Sequence, residues 1–265
     1  MKKLLIIFMI LITGVILNAQ QLTLKNLNIN GSIGYTTVSM GDAKNVLDGS
    51  DINKAPFTNN VVSNVGNGIV FSIESMYKLD EQITPGFAAG LKYASITCAP
   101  GTVTAERTPG KTTKQTLELN LSMVMIGISY SKEAPNISPN LTINSSIFIG
   151  LYAPLWGAFK MESNDPAITG NYGKLFNDET TLEGSCVPID INIRGDYKTS
   201  ENIFISGALG YRIASVKEVK YGNDAPYFNN VGGLSKGELL RNPDGTPMSA
   251  DFSGLTLSVG VTYQF

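Results

Sequence analysis

No histidine occurs anywhere in the 265 residues. The missing side chain is the one whose unperturbed pKa suits proton transfer near neutrality. Without it no serine can be activated by a Ser–His pair. A lysine or carboxylate base is the remaining route to catalysis, so the expectation is a non-enzyme. A basic excess is missing too: 20 Lys and Arg stand against 22 Asp and Glu. That argues against a nucleic-acid partner, which favours a clustered basic surface. Metal-ligand patterns are thin. "DGSDIN" (Asp48 to Asn53) gathers oxygens but lacks the order and closing Glu of a calcium loop. No metal and no cofactor is expected. Beyond the N-terminus no apolar run reaches the ~20 residues of a spanning helix. If this chain enters a membrane, it enters as strands.

The front end and the period of the rest are informative. Lys2 and Lys3 precede an apolar run from Leu4 to Leu17, and small Ala19 follows. This reads as a secretory signal peptide over residues 1–19, with an uncleaved anchor as the alternative. Residues 20–265 then form one β domain. The chain ends in "LTLSVGVTYQF", with Leu255, Leu257, Val259, Val261, Tyr263 and Phe265 at every second place. The same alternation recurs seven times upstream, starting near Leu27, Ile69, Phe87, Leu117, Leu141, Val187 and Ile203. Period two over such lengths predicts strands with one apolar face. The segment from Leu117 slips after Met125 to Ile126, Ile128 and Tyr130, as a bulge would require.

Short, turn-like connections ("DEQITPG", "SKEAPNISPN", "KTSEN") alternate with long ones near 40–66, 98–115, 153–185 and 218–253. Even strand number with alternating short and long connections is the pattern of an outer-membrane barrel. A soluble sandwich or lipocalin-like barrel shares the alternation. Two features favour the membrane. Aromatics cluster at the short-turn ends (Tyr77, Phe87, Tyr130, Tyr197, Phe265). The other face carries Glu74, Lys92, Glu118, Asp190, Arg194 and Arg212, which a soluble core would not tolerate unpaired. Pairing about the short turns sets Glu74 beside Lys92 and Asp190 beside Arg212, with Arg194 a layer or two below. Together the six predict a lumen charge network closed to ions. The fold expectation is all-β: an eight-stranded antiparallel up-and-down transmembrane β-barrel.

From Leu24 to Phe265 the chain resembles the small eight-stranded OmpA/OmpX/OmpW-type outer-membrane barrels, as pattern rather than identity. The resemblance is tightest at "LSVGVTYQF". It implies location in the outer membrane of a Gram-negative type cell, contact with outer-membrane lipid and lipopolysaccharide, and a monomer. It also implies that Leu257, Val259, Val261, Tyr263 and Phe265 are read by the barrel-assembly machinery. Barrel enzymes of this membrane need a His, which this chain lacks. Two functions follow as expectations. One is a structural or surface-interaction role through long extracellular loops, whose aromatics include Trp156, Phe159, Tyr172, Tyr227 and Phe228. The alternative is a passive OmpW-like channel for small, apolar molecules. An eight-stranded barrel is only wide enough for side chains to fill it. Cys98 and Cys186 both point inward by parity. The compartment allows a disulfide, but their strands are not neighbours, so a bridge and two free thiols both stay open.

Overall fold

The computed structural model describes residues 26–50, 52, 54, 56–80, 82, 84–165, 179–224 and 235–265. The signal-peptide segment, Tyr172, Tyr227 and Phe228 lie outside these residues. In chain order the elements are β1 (Leu27–Thr36), α1 (Gly41–Asp48), β2 (Thr58–Ser63), β3 (Gly68–Lys78), β4 (Phe87–Cys98), β5 (Gly101–Glu106) and β6 (Thr112–Glu133). There follow β7 (Leu141–Ser163), β8 (Glu179–Cys186), β9 (Ile189–Lys198), β10 (Ile203–Ile213), β11 (Ser215–Val216), β12 (Lys220–Tyr221), β13 (Ala250–Asp251) and β14 (Gly254–Gln264).

Eight of these strands close a ring in the order β1-β3-β4-β6-β7-β9-β10-β14, and β14 pairs back onto β1 from Asn28↔Gln264 to Thr36↔Thr256. All neighbours are antiparallel. Each short turn closes on the backbone: Leu79 N–H donates to Phe87 O, Ala134 to Leu141 and Thr199 to Ile203. Gly86 holds φ +77° as the chain enters β4, a conformation few other residues adopt.

Why the ring closes in this sense follows from the alternation. Ile33, Phe71, Leu91, Ile128, Ile147, Ile193, Ile205, Leu209, Leu257, Val259 and Val261 all stand exposed on the outer wall. In water such a belt would be prohibitive; in a bilayer it is the lipid face. Phe87 and Tyr130 (ring centroids 5.1 Å apart) and Tyr263 and Phe265 (4.8 Å, edge to face) form part of a girdle at the short-turn end. Among the described residues no helix is long and apolar enough to cross a membrane; the crossing is made by strands.

Two of the long connections are mostly strand. β6 and β7 run 22 and 23 residues, about twice the 9–11 needed to cross. Their upper halves stand clear of the bilayer and extend sideways through β5 and β2 on one flank and β8 and β12 on the other. α1 and the chain around β11 to β13 cover the mouth. The inner faces of this superstructure form a second, water-type core: Leu47, Val103, Leu117, Leu119, Leu121, Leu182, Val216, Met248 and Phe252 are all almost wholly buried. "NPDGTP" is a turn within this roof, where Asn242 N–H donates to Thr246 O at 2.8 Å.

That second core corrects the facing expected for the segment from Leu117. Leu117, Leu119, Leu121, Met123 and Met125 point inward with no reversal along β6, while Val124, Ile128 and Tyr130 point out. The change after Met125 marks where the outer wall passes from water to lipid. The bulge lies opposite, on β7. Val124 pairs with Tyr152 and Met125 with Gly150, leaving Leu151 as the extra residue. Leu151 and Tyr152 are accordingly both exposed.

Candidate functional site

Inside the ring, the even-numbered residues of β1, β3, β4, β9, β10 and β14 meet. The backbone register sets Glu74 opposite Lys92 and Asp190 opposite Arg212. The ion pairs do not follow the register. Lys92 Nζ reaches Asp190 Oδ2 at 2.9 Å, and Arg194 Nη1 reaches Glu74 Oε1 at 2.8 Å. Arg194 Nε also donates to Asp196 Oδ1 at 3.0 Å. The reason is geometric. β3 and β9 stand four places apart in a ring of eight, so Glu74 and Arg194 span the full bore. Long side chains aimed at the axis of so narrow a barrel meet the opposite wall as readily as the adjacent strand.

The remaining lumen is stitched by neutral groups. Asn30 donates to Ser206 and Thr262, both at 2.8 Å. Asn144 donates to Asp196 at 2.7 Å and accepts from Ser131. The ammonium of Lys92 lies 5.2 Å from the centre of the Phe148 ring. A cavity of about 30 Å³ is left between these charges, room for roughly two waters. Below it a polar vestibule of about 490 Å³ opens toward the short turns, with Lys78, Glu133, Asn140 and Lys198 in its wall. Arg212, 1% exposed, does not pair with Asp190. It donates from Nη2 to Thr36 Oγ1 at 2.7 Å and from Nε to Phe252 O at 3.2 Å. It thereby ties the barrel wall to the roof.

Several expected residues lie elsewhere or stay unpaired with one another. Glu118 is not in the lumen: it faces outward above the belt, because β6 keeps one facing throughout. Its carboxylate accepts from Lys160 at 3.0 Å, and Glu179 lies 3.7 Å from the same ammonium. The hydrogen bond to Glu118 raises the Lys160 pKa above the ordinary lysine value. Cys98 and Cys186 are both free thiols. Cys98 closes β4, whereas Cys186 pairs with Ala153 through β8 and β7. β6 and β7 lie between their strands in the sheet order. A disulfide needs Cα atoms within ~7 Å. Trp156 and Phe159, expected in a loop, are on β7, the first outward and the second in the roof core.

Residues missed by the sequence reading include Asp196, which alternates with Arg194 and was legible by parity, and Thr36 and Phe252, which carried no signal. The roof has its own polar latch. The carboxylate of Asp42 on α1 accepts from Ser249 N–H at 2.9 Å and Ser249 Oγ at 2.7 Å. The Ser249 hydroxyl holds Asp42 below the usual carboxylate pKa. Among the described residues no cluster of potential metal ligands forms. Leu257, Val259, Val261, Tyr263 and Phe265 all face out along the closing strand, and Phe265 N–H donates to Leu27 O at 3.0 Å.

A closed antiparallel ring of eight strands, apolar outside and polar inside, defines an integral β-barrel of the outer-membrane type. No family model matches the chain, and no curated protein matches it in sequence. Solved structures with a similar course include Neisserial surface protein A, at 8% identity and TM-score 0.46, covering 91% of this chain and 97% of that one. Another is the outer membrane protein OprG from Pseudomonas aeruginosa, at 11% and 0.45, covering 90% and 95%. A third is the outer membrane protease OmpT from Escherichia coli, at 8% and 0.41, covering 92% and 98%. Likenesses this distant say nothing about what the barrel does.

Proposed function

We propose that the protein is a sealed, non-conducting and non-enzymatic barrel that acts at the cell surface through the superstructure above its mouth. The observation that carries this reading is the plugged bore: ion pairs span the lumen around a cavity of only about 30 Å³. The buried roof core supports it, since a second closure stands over the first. In the same reading residues 1–19 export the chain, and the barrel lies as a monomer in outer-membrane lipid and lipopolysaccharide. The terminal strand is the part read by the assembly machinery. A passive channel is the weaker reading, because a polar, ion-paired bore offers no apolar path from mouth to wall.

Planar-bilayer recording tests the proposal. The wild-type barrel is expected to give no steady conductance, and Arg194→Ala with Lys92→Ala to give an ohmic one. Steady current through the wild type, at neutral pH and without the substitutions, would overturn it.

A further inference from the structure

The outer wall of β7 and β8, with the chain at 217–222, encloses a groove of about 690 Å³ above the lipid belt. Its floor carries Tyr152 and Trp156, 61% and 51% exposed. Trp156 is the only tryptophan in the chain, and its Nε1 donates to Ser122 Oγ at 3.4 Å, which holds the ring to the wall. Trp156 stands four positions along the strand from Tyr152, at the top of the belt. At ~3.3 Å per residue and a strand tilt of ~40°, the indole stands roughly 10 Å higher, in the headgroup layer.

The upper wall is amphoteric. Lys220 pairs with Glu218 at 3.6 Å. Lys217 and Glu183 line the same groove and make no ion pair among the described residues. Two ammonium groups and two carboxylates leave no net charge, so neither a simple anion nor a simple cation is drawn in. Alternating donors and acceptors suit vicinal hydroxyls instead: one donates to a carboxylate while its neighbour accepts from an ammonium. A flat, exposed indole below them presents an apolar platform to the C–H face of a sugar ring.

We propose that this groove holds the neutral saccharide headgroup of a glycolipid in the surrounding leaflet, with its ring over Trp156 and its hydroxyls shared between Glu183 and Lys217. The lipid-borne source follows from continuity. The floor runs through Tyr152 into Leu151 and the belt, so the acyl chains of the same molecule lie against the wall below. The inference rests on the surface role proposed above only in placing this end of the barrel at the outer leaflet.

The single tryptophan is the reporter. The folded barrel is placed in nanodiscs of phosphatidylcholine with increasing digalactosyl diacylglycerol, and Trp156 emission is followed. A saturable blue shift is expected. Lys217→Ala and Glu183→Gln should each need roughly tenfold more glycolipid for half-saturation. Heat-modifiable gel migration confirms that both variants are folded. Native mass spectrometry gives a second reading, with glycolipid retained by the wild type and lost from Trp156→Phe. A flat emission would overturn the proposal. So would an equal response to phosphatidylglycerol, or titrations unchanged in both variants. Binding of free digalactose as tight as that of the lipid would overturn the lipid-borne source. Bilayer conductance separates the two readings: a conducting barrel that still responds to glycolipid sinks the sealed-barrel reading alone, and a silent barrel with flat emission sinks the groove alone.

Discussion

Replacing Lys92 by Met should destabilise the barrel by about 3 kcal/mol, and the loss should be recovered through Asp190 rather than through Glu74. At 2.9 Å and an effective dielectric of about 20, the gross attraction of Lys92 for Asp190 is about 6 kcal/mol. Desolvation of two side chains less than a tenth exposed consumes most of it, so the pair contributes little net stability against an apolar substitute. Removing one partner is a different matter. Asp190 stays buried and charged, at a cost of roughly 3–5 kcal/mol. The low end applies here, because Arg212 holds the register position opposite Asp190 on the adjacent strand, and its guanidinium, though bonded to Thr36 and Phe252, adds positive charge to the same end of the lumen. Loss of the Lys92–Phe148 contact adds a fraction of this. The assay is a double-mutant cycle on urea unfolding in phospholipid vesicles, with Lys92→Met, Asp190→Asn and Glu74→Gln singly and in pairs. Coupling of 1 kcal/mol or more is expected between Lys92 and Asp190, on the order of that measured for close charged neighbours. The pair Lys92 and Glu74 should be nearly additive. Strong coupling within the hairpin and additivity across the bore would refute the crossed pairing.

Other expectations concern the roof and the closing strand. Leu47→Ala empties a fully buried site beneath α1 and should cost about 2–5 kcal/mol of roof stability. Protease cleavage within residues 41–50, with the barrel itself still heat-modifiable, would show it. Asp42 is held below its ordinary value of 3.8 by Ser249, so its contribution is complete above that pH and fades as acid carries the solution through the lower folded value. Protease protection of residues 235–250 should therefore fall with acid below about pH 3.8 in the wild type, and Asp42→Ala should lack that step. Identical acid profiles would count against the latch. Deleting Phe265 removes the ring packed edge to face against Tyr263 and should slow assembly, leaving unfolded chains that migrate differently on unheated gels. An unchanged folded yield would count against a role for the terminal aromatic.

Strand number, connectivity and hairpin register were legible because period two reports strands whatever solvent they face. Glu74↔Lys92 and Asp190↔Arg212 fall where counting from the short turns puts them. What alternation does not report is which side is wet. On lower β6 the apolar residues Ile126, Ile128 and Tyr130 face lipid, while on upper β6 Leu117 to Met125 face an enclosed core. The apolar set changes sides although the backbone does not, and the sequence presents this as a slip. Glu118 was misplaced for the same reason. The true irregularity at Leu151 was hidden, because Leu151 and Tyr152 suit a lipid face equally. Ion-pair partners were out of reach for another reason: register orders neighbours along the wall, whereas Arg194 chooses Glu74 across a bore whose width no local pattern encodes.

The roof also dictates an order of events. A helix such as α1 is about 10–12 Å across with its side chains, and the finished bore leaves only about 30 Å³ between its charges. No part of the superstructure can be threaded through the completed ring. The described parts of the four long connections, with α1, β2, β5, β8 and β11 to β13, must therefore reach the outer side while the wall is still open. The seam where β14 meets β1 joins the last strand of the ring to the first. Arg212 on β10 bonds Phe252 O beside its neighbour β14 and Thr36 on β1 beyond it, so the second of these bonds forms only once that seam closes. Export of the cap thus precedes closure of the cylinder, and the Arg212–Thr36 bond across the seam comes after both.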